Sequence, residues 1–233
     1  MCRIRLPVIF LLVIFVSFPV LSQSFWKWEP HISLTWYSSD RWSFHSDFGS
    51  LQTLSNKVAE DREFGSTERF EIQGFSTYRL FSGDRISFGL LHRTSDPFES
   101  TSGSEFRLIQ QFAFVFHRLP FRIVNRIRTE QRFRSNEFLN RIRYRFSYDV
   151  PLNGDELDVG ESFLKTTNEI LFAFNDETSD WENRTTVTLG WLLRNRNKFE
   201  LGLQYRINDI GTGVQRGGFH LITNLYLSII HNP

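Results

Sequence analysis

From Phe121 to Asp149 apolar and charged residues alternate with a period of two. Phe121, Ile123, Ile127 and Phe133 occupy one parity, and Arg122, Arg126, Arg128, Glu130, Arg132 and Arg134 the other. After Ser135-Asn136 the parity flips: Phe138, Ile142, Tyr144, Phe146 and Tyr148 alternate with Arg141, Arg143, Arg145 and Asp149. Successive side chains of a strand point to opposite faces, so this pattern predicts a long hairpin with one apolar, aromatic face and one arginine-rich face.

The same period runs along the rest of the chain. Trp26, Trp28, Ile32, Leu34 and Trp36 oppose Lys27, Glu29, His31, Ser33 and Thr35, and Trp42, Phe44 and Phe48 oppose Arg41, His45 and Asp47. Further alternating runs cover 68–80, 86–90, 105–117, 162–174, 183–193, 199–207 and 219–229. Eleven strands are predicted, and no helical period follows residue 24. Five polar stretches, 51–67, 94–104, 150–161, 175–182 and 208–218, read as the longer loops; Ser82-Gly83-Asp84 and Arg194 to Asn197 read as tight turns. No low-complexity linker divides residues 24–233, which form one predicted domain.

The amino terminus is different. Arg3 and Arg5 precede an apolar run, Leu6 to Val20, and small polar residues follow at Ser22-Gln23-Ser24. This is the layout of a signal peptide over residues 1–23, shorter than a spanning helix and broken by Pro19. Cys2 lies ahead of the apolar run, the wrong place for lipid attachment, and Cys2 and Met1 are the only residues of their types. The exported chain therefore carries no thiol, disulfide or cysteine metal site. Losing Arg3 and Arg5 also takes the formal charge from +1 to −1. A near-neutral exported chain is not a nucleic-acid binder.

Composition decides which face is buried. The chain holds 25 Phe and 6 Trp, yet 23% of it is charged. Most predicted strands reach ten or more residues, beyond the five or six usual in soluble sheets and close to the ~9–11 of a tilted membrane-spanning strand. The predicted fold is all-β: a closed, antiparallel, up-and-down transmembrane barrel of ten to twelve strands, with an even number expected for a bacterial chain. Its apolar face would meet the lipid of the outer membrane, and its charged face would line the lumen. Trp26, Trp28, Trp36, Tyr37, Trp42, Trp181 and Trp191, at or near strand ends, would form the two interfacial girdles.

The segments NRIRTEQRF (125–133), NRIRYRFSYDVPL (140–152), NEILFAF (168–174) and NRTTVTLGW (183–191) resemble the bacterial family known as domain of unknown function 2490. That resemblance implies an outer-membrane-type β-barrel of a Gram-negative bacterium and brings no reaction with it.

The candidate site is the predicted lumen cluster: Arg122, Arg126, Arg128, Glu130, Arg132, Arg141, Arg143 and Arg145, with Glu169 and Arg184 from following strands. Arginines outnumber acids in the hairpin. Glu71, Glu105 and Glu169 on neighbouring strands could neutralise them and make an ion-paired plug. A remaining surplus would make an anion-selective constriction, with small anions as partners. No cofactor is predicted. Scattered His residues and the lack of a GxSxG motif supply no catalytic constellation, and no His or carboxylate spacing suits a metal. The leading expectation is a non-enzymatic barrel or narrow pore; the alternative is a lipid-modifying barrel enzyme with a Ser-His pair near the membrane edge.

Overall fold

The computed structural model describes residues 24–56, 64–100, 102–118, 120–135, 137–211 and 215–230. The predicted signal peptide lies outside the described residues. Eleven strands run in chain order: β1 Ser24–Tyr37, β2 Trp42–Asn56, β3 Thr67–Arg79, β4 Arg85–Ser95, β5 Gly103–Arg118, β6 Phe121–Arg134, β7 Glu137–Pro151, β8 Ser162–Phe174, β9 Ser179–Leu192, β10 Lys198–Asn208 and β11 Arg216–Ile230. Each pairs with its chain neighbour in antiparallel register, and β11 returns to β1 to close the barrel.

The closing pair corrects two expectations. The strand number is odd, and β1 and β11 run parallel, with Trp26 beside Phe219 and Leu34 beside Leu227. An odd number of up-and-down strands leaves the first and last pointing the same way, so only a parallel ladder can close the ring. Closure removes the edges that would otherwise expose unpaired N–H and C=O groups.

All eleven predicted strands are present, and their ends extend further than the polarity suggested. Leu51 to Asn56, read as the start of a loop, continues β2, and β9 begins at Ser179, inside a predicted loop. A register shift at Leu51/Gln52 lets β2 continue through a polar stretch.

Parity is kept around the ring. Residues predicted to be apolar-facing point outward and stay open to the surroundings: Ile32, Phe48, Ile72, Phe88, Ile127 and Ile142 are each more than two-fifths exposed. Aromatic pairs band both ends of this outer face. Trp26 stacks on Phe219 at 4.9 Å and Phe172 meets Trp181 at 4.4 Å where β1 begins. Where β1 finishes, Trp36 stacks on Phe44 at 5.5 Å and Trp42 meets Tyr78 at 5.0 Å. Tyr37 departs from the prediction. It follows outward Trp36, so the two-residue period turns it into the lumen, under the Arg196 guanidinium.

The interior holds both kinds of side chain. A small apolar cluster, Phe75, Leu91 and Ile109, sits on the β3–β5 wall, and most other buried interior groups are charged or hydroxylic. Glycine makes room for the larger inward side chains. A Cβ at Gly89 would lie 2.3 Å from the Phe75 ring, and one at Gly190 2.2 Å from the Phe163 ring.

Candidate functional site

The inward positions of β6 and β7 pair Arg126 with Arg145, Arg128 with Arg143 and Glu130 with Arg141. Two of these pairs set like charges side by side, which is unfavourable without compensation. Compensation comes from two carboxylates that are 1% exposed, Glu130 and Glu169. Glu130 accepts hydrogen bonds from Arg141 at 2.5 Å, Arg143 at 2.8 Å and Arg107 at 3.4 Å. Glu169 accepts from Arg143 at 2.6 Å, Arg126 at 3.0 Å and Arg145 at 3.1 Å. Arg143 therefore ties the two acids together with one guanidinium. Its planar fork can do this; an ammonium could not hold the same geometry.

Three further knots surround this centre. Glu105 of β5 takes the Arg132 fork at 2.8 and 3.1 Å, Arg134 at 2.6 Å, and Arg107. Glu29 of β1 gathers Arg69 of β3, at 2.6 Å, and Arg206 of β10. Glu71 pairs with Arg93 of β4 and lies 3.2 Å from Arg69. Arg184 is held by Glu182 at 2.5 Å, and Lys165 by Glu200 at 2.5 Å. Arg122 only approaches Asp149, at 3.5 Å.

All ten predicted residues point into the lumen, but they do not form one site. Arg126, Arg128, Arg141, Arg143, Arg145 and Arg184 line a cavity of about 1130 Å³. Glu130, Glu169 and Arg132 lie behind or below its wall. Arg122 stands apart with Asp149. The predicted neutralisers divide: Glu105 and Glu169 reach the arginines of the hairpin, whereas Glu71 serves Arg69 and Arg93.

The Glu29, Arg69 and Arg206 knot was missed. Its members could be read as inward from parity alone. What brings them together is the β1–β11 seam, which sets β10 two strands from β1 and has no signature in a strand-by-strand pattern.

The cavity runs from the end where β1 finishes, at Tyr37, Arg41, Arg79, Arg85 and Arg196, down to Glu29, Arg93, Arg107 and Arg141. Its lining stops there, and Glu105, Glu130 and Arg132 beyond it are each less than a tenth exposed. Fifteen Arg and Lys residues line the cavity against four Asp and Glu. On the β1–β2 wall, Thr35 Oγ1 lies 2.9 Å from His45 Nδ1, and His45 Nε2 lies 2.9 Å from Asp47 Oδ2. Asp47 also accepts from Ser33 and Gln73. A hydroxyl, an imidazole and a carboxylate in a row can activate a nucleophile. Here the ladder uses the surrounding backbone N–H groups, so among the described residues this wall offers no free backbone donor pair for an oxyanion. Among the described residues, no group of three or more His, Cys, Asp and Glu is placed to hold a metal ion.

Residues 29–216 match the family described as protein of unknown function (DUF2490). The chain belongs to this family. The match runs from β1 into the first residue of β11, so all the charge knots described above fall within the DUF2490 region. No curated protein and no solved structure matches the chain.

Proposed function

We propose that this DUF2490 protein is an outer-membrane β-barrel whose lumen is a basic vestibule, open at one end and stopped at mid-depth by ion pairs. The observation that carries the reading is the outer face. A closed backbone ring presents apolar side chains on every strand, more than half exposed at Ile32, Phe48, Ile72, Phe88 and Ile229. Soluble monomers rarely expose contiguous apolar patches beyond a few hundred Å². A ring with no free edge is one of the two backbone arrangements that hydrocarbon tolerates. Aromatic bands at both ends fit the two interfaces.

Polar groups on the outer face support the same reading, because they satisfy one another. Tyr144 Oη donates to Asn125 at 2.7 Å, Thr129 Oγ1 donates to Gln110 at 2.6 Å, and Asn168 Nδ2 donates to Thr185 Oγ1 at 2.9 Å. Unmet polar groups would be costly in lipid.

Fractionation and reconstitution test the proposal. The protein is expected in the outer-membrane fraction, with a gel mobility that changes on boiling, and it should give no steady conductance in planar bilayers. A soluble periplasmic protein would contradict the membrane reading. Steady anion-selective conductance would contradict the stopped vestibule and restore a narrow anion pore.

One observation favours a second reading, a lipid-modifying enzyme. His92 Nε2 and Ser104 Oγ lie 2.9 Å apart, both exposed on the outer face near the β4–β5 connection. Among the described residues, no third group orients that imidazole. Release of fatty acid or headgroup from phospholipid by the purified protein, abolished in Ser104→Ala, would establish this reading; unchanged lipid in a long incubation would end it.

A further inference from the structure

We propose that the β6–β7 wall of the vestibule binds the phosphate of a hydroxyl-rich phosphomonoester, a molecule of sugar-phosphate size. The proposal deepens the vestibule reading and rests on it for access through the open mouth.

Arg126, Arg128, Arg143 and Arg145 all line the cavity, while Glu130 and Glu169 do not. The carboxylates sit behind the guanidiniums, so the surface offered to an entering molecule is cationic. The charges are also unbalanced. Glu130 and Glu169 serve Arg107, Arg126, Arg141, Arg143 and Arg145 through hydrogen bonds. Arg128 comes no closer than 3.8 Å to Glu130 and directs its fork to the neutral amide of Gln111, at 2.7 and 3.0 Å.

At the same depth on neighbouring strands single cations meet single acids, Lys165 with Glu200 and Arg184 with Glu182. Among the described residues, only on this wall do two like-charged cross-strand pairs follow each other. Arg126 Nε and Arg143 Nε are buried without a hydrogen-bond partner. Such an arrangement costs stability unless an anion completes it.

Geometry selects the anion. Glu169 alone joins Arg126, Arg143 and Arg145 within 3.1 Å, so three guanidiniums are held side by side on the wall. A phosphate dianion offers enough acceptor oxygens for several forks at once, whereas a monocarboxylate offers two and chloride gives no bidentate contact. The opposite wall, from β1 to β3, carries Ser33, Thr35, His45, Asp47 and Gln73 on the same cavity. These hydroxyl, imidazole, carboxylate and amide groups can exchange hydrogen bonds with a polyol. The volume is of the order of the ~300–1,000 Å³ usual for small-molecule sites.

Isothermal titration of the protein purified from membranes in detergent tests this, with inorganic phosphate, glucose 6-phosphate and glucose as probes. Mobility change on boiling is recorded on the same sample, so that loss of the barrel is seen separately from loss of the site. Glucose 6-phosphate is expected to bind more tightly than inorganic phosphate, and glucose to give no measurable heat. Arg126→Gln with Arg145→Gln should weaken glucose 6-phosphate about tenfold or more, the scale of losing charged hydrogen bonds. Arg134→Gln, at the far end of the lumen, should leave binding unchanged. If neither phosphate probe binds a heat-modifiable sample, the proposal is overturned. The same holds if both phosphates bind equally, or if the double variant binds like the wild type.

Discussion

Arg143 and Arg134 show how differently the same residue type contributes at two depths. Arg143 is 8% exposed and bonds to two carboxylates that have almost no access to water. Arg143→Leu leaves Glu130 and Glu169 under-compensated and should cost about 3–5 kcal/mol, the scale of breaking a buried pair. Arg134, 43% exposed, should cost under about 1 kcal/mol on replacement by Gln. Urea unfolding in lipid vesicles would measure both; similar losses would contradict the network. A third substitution probes packing alone. Gly89→Ala places a methyl against Phe75 and should destabilise by about 1–3 kcal/mol, read in the same assay. Parity alone turned all ten predicted residues of the charge cluster inward. It could not show that Arg126 and Arg145 would share Glu169 from a third strand, because partner choice depends on side-chain reach across the register.

At the scale of elements, the two-residue period was enough to find every strand. It misjudged ends where small polar residues keep the alternation without the hydrophobic contrast, as from Leu51 to Asn56. It was silent on closure, since a ladder between β1 and β11 joins segments about two hundred residues apart. The parallel seam makes a prediction of its own. Leu34 and Leu227 are direct neighbours in its register, and residues 24–233 contain no native cysteine to interfere. Leu34→Cys with Leu227→Cys should form an intramolecular disulfide under mild oxidation, because parallel neighbours lie within disulfide reach. Leu34→Cys with Phe219→Cys should not. Efficient crosslinking of the second pair instead would mean a different seam.

At the scale of the whole molecule, two opposite faces divide the roles. The outer face is apolar with banded ends, and the inner face is a cationic bowl above an ion-paired floor. The membrane reading rests on what the outer face touches. All six Trp, at 26, 28, 36, 42, 181 and 191, belong to its parity, so native fluorescence reports on it without any substitution. The direct measurement is Trp emission of the protein folded into vesicles of brominated phosphatidylcholine, compared with unbrominated lipid. The account predicts strong quenching by the brominated acyl chains. Emission that is unchanged between the two lipids would contradict it and place the aromatic face away from the membrane.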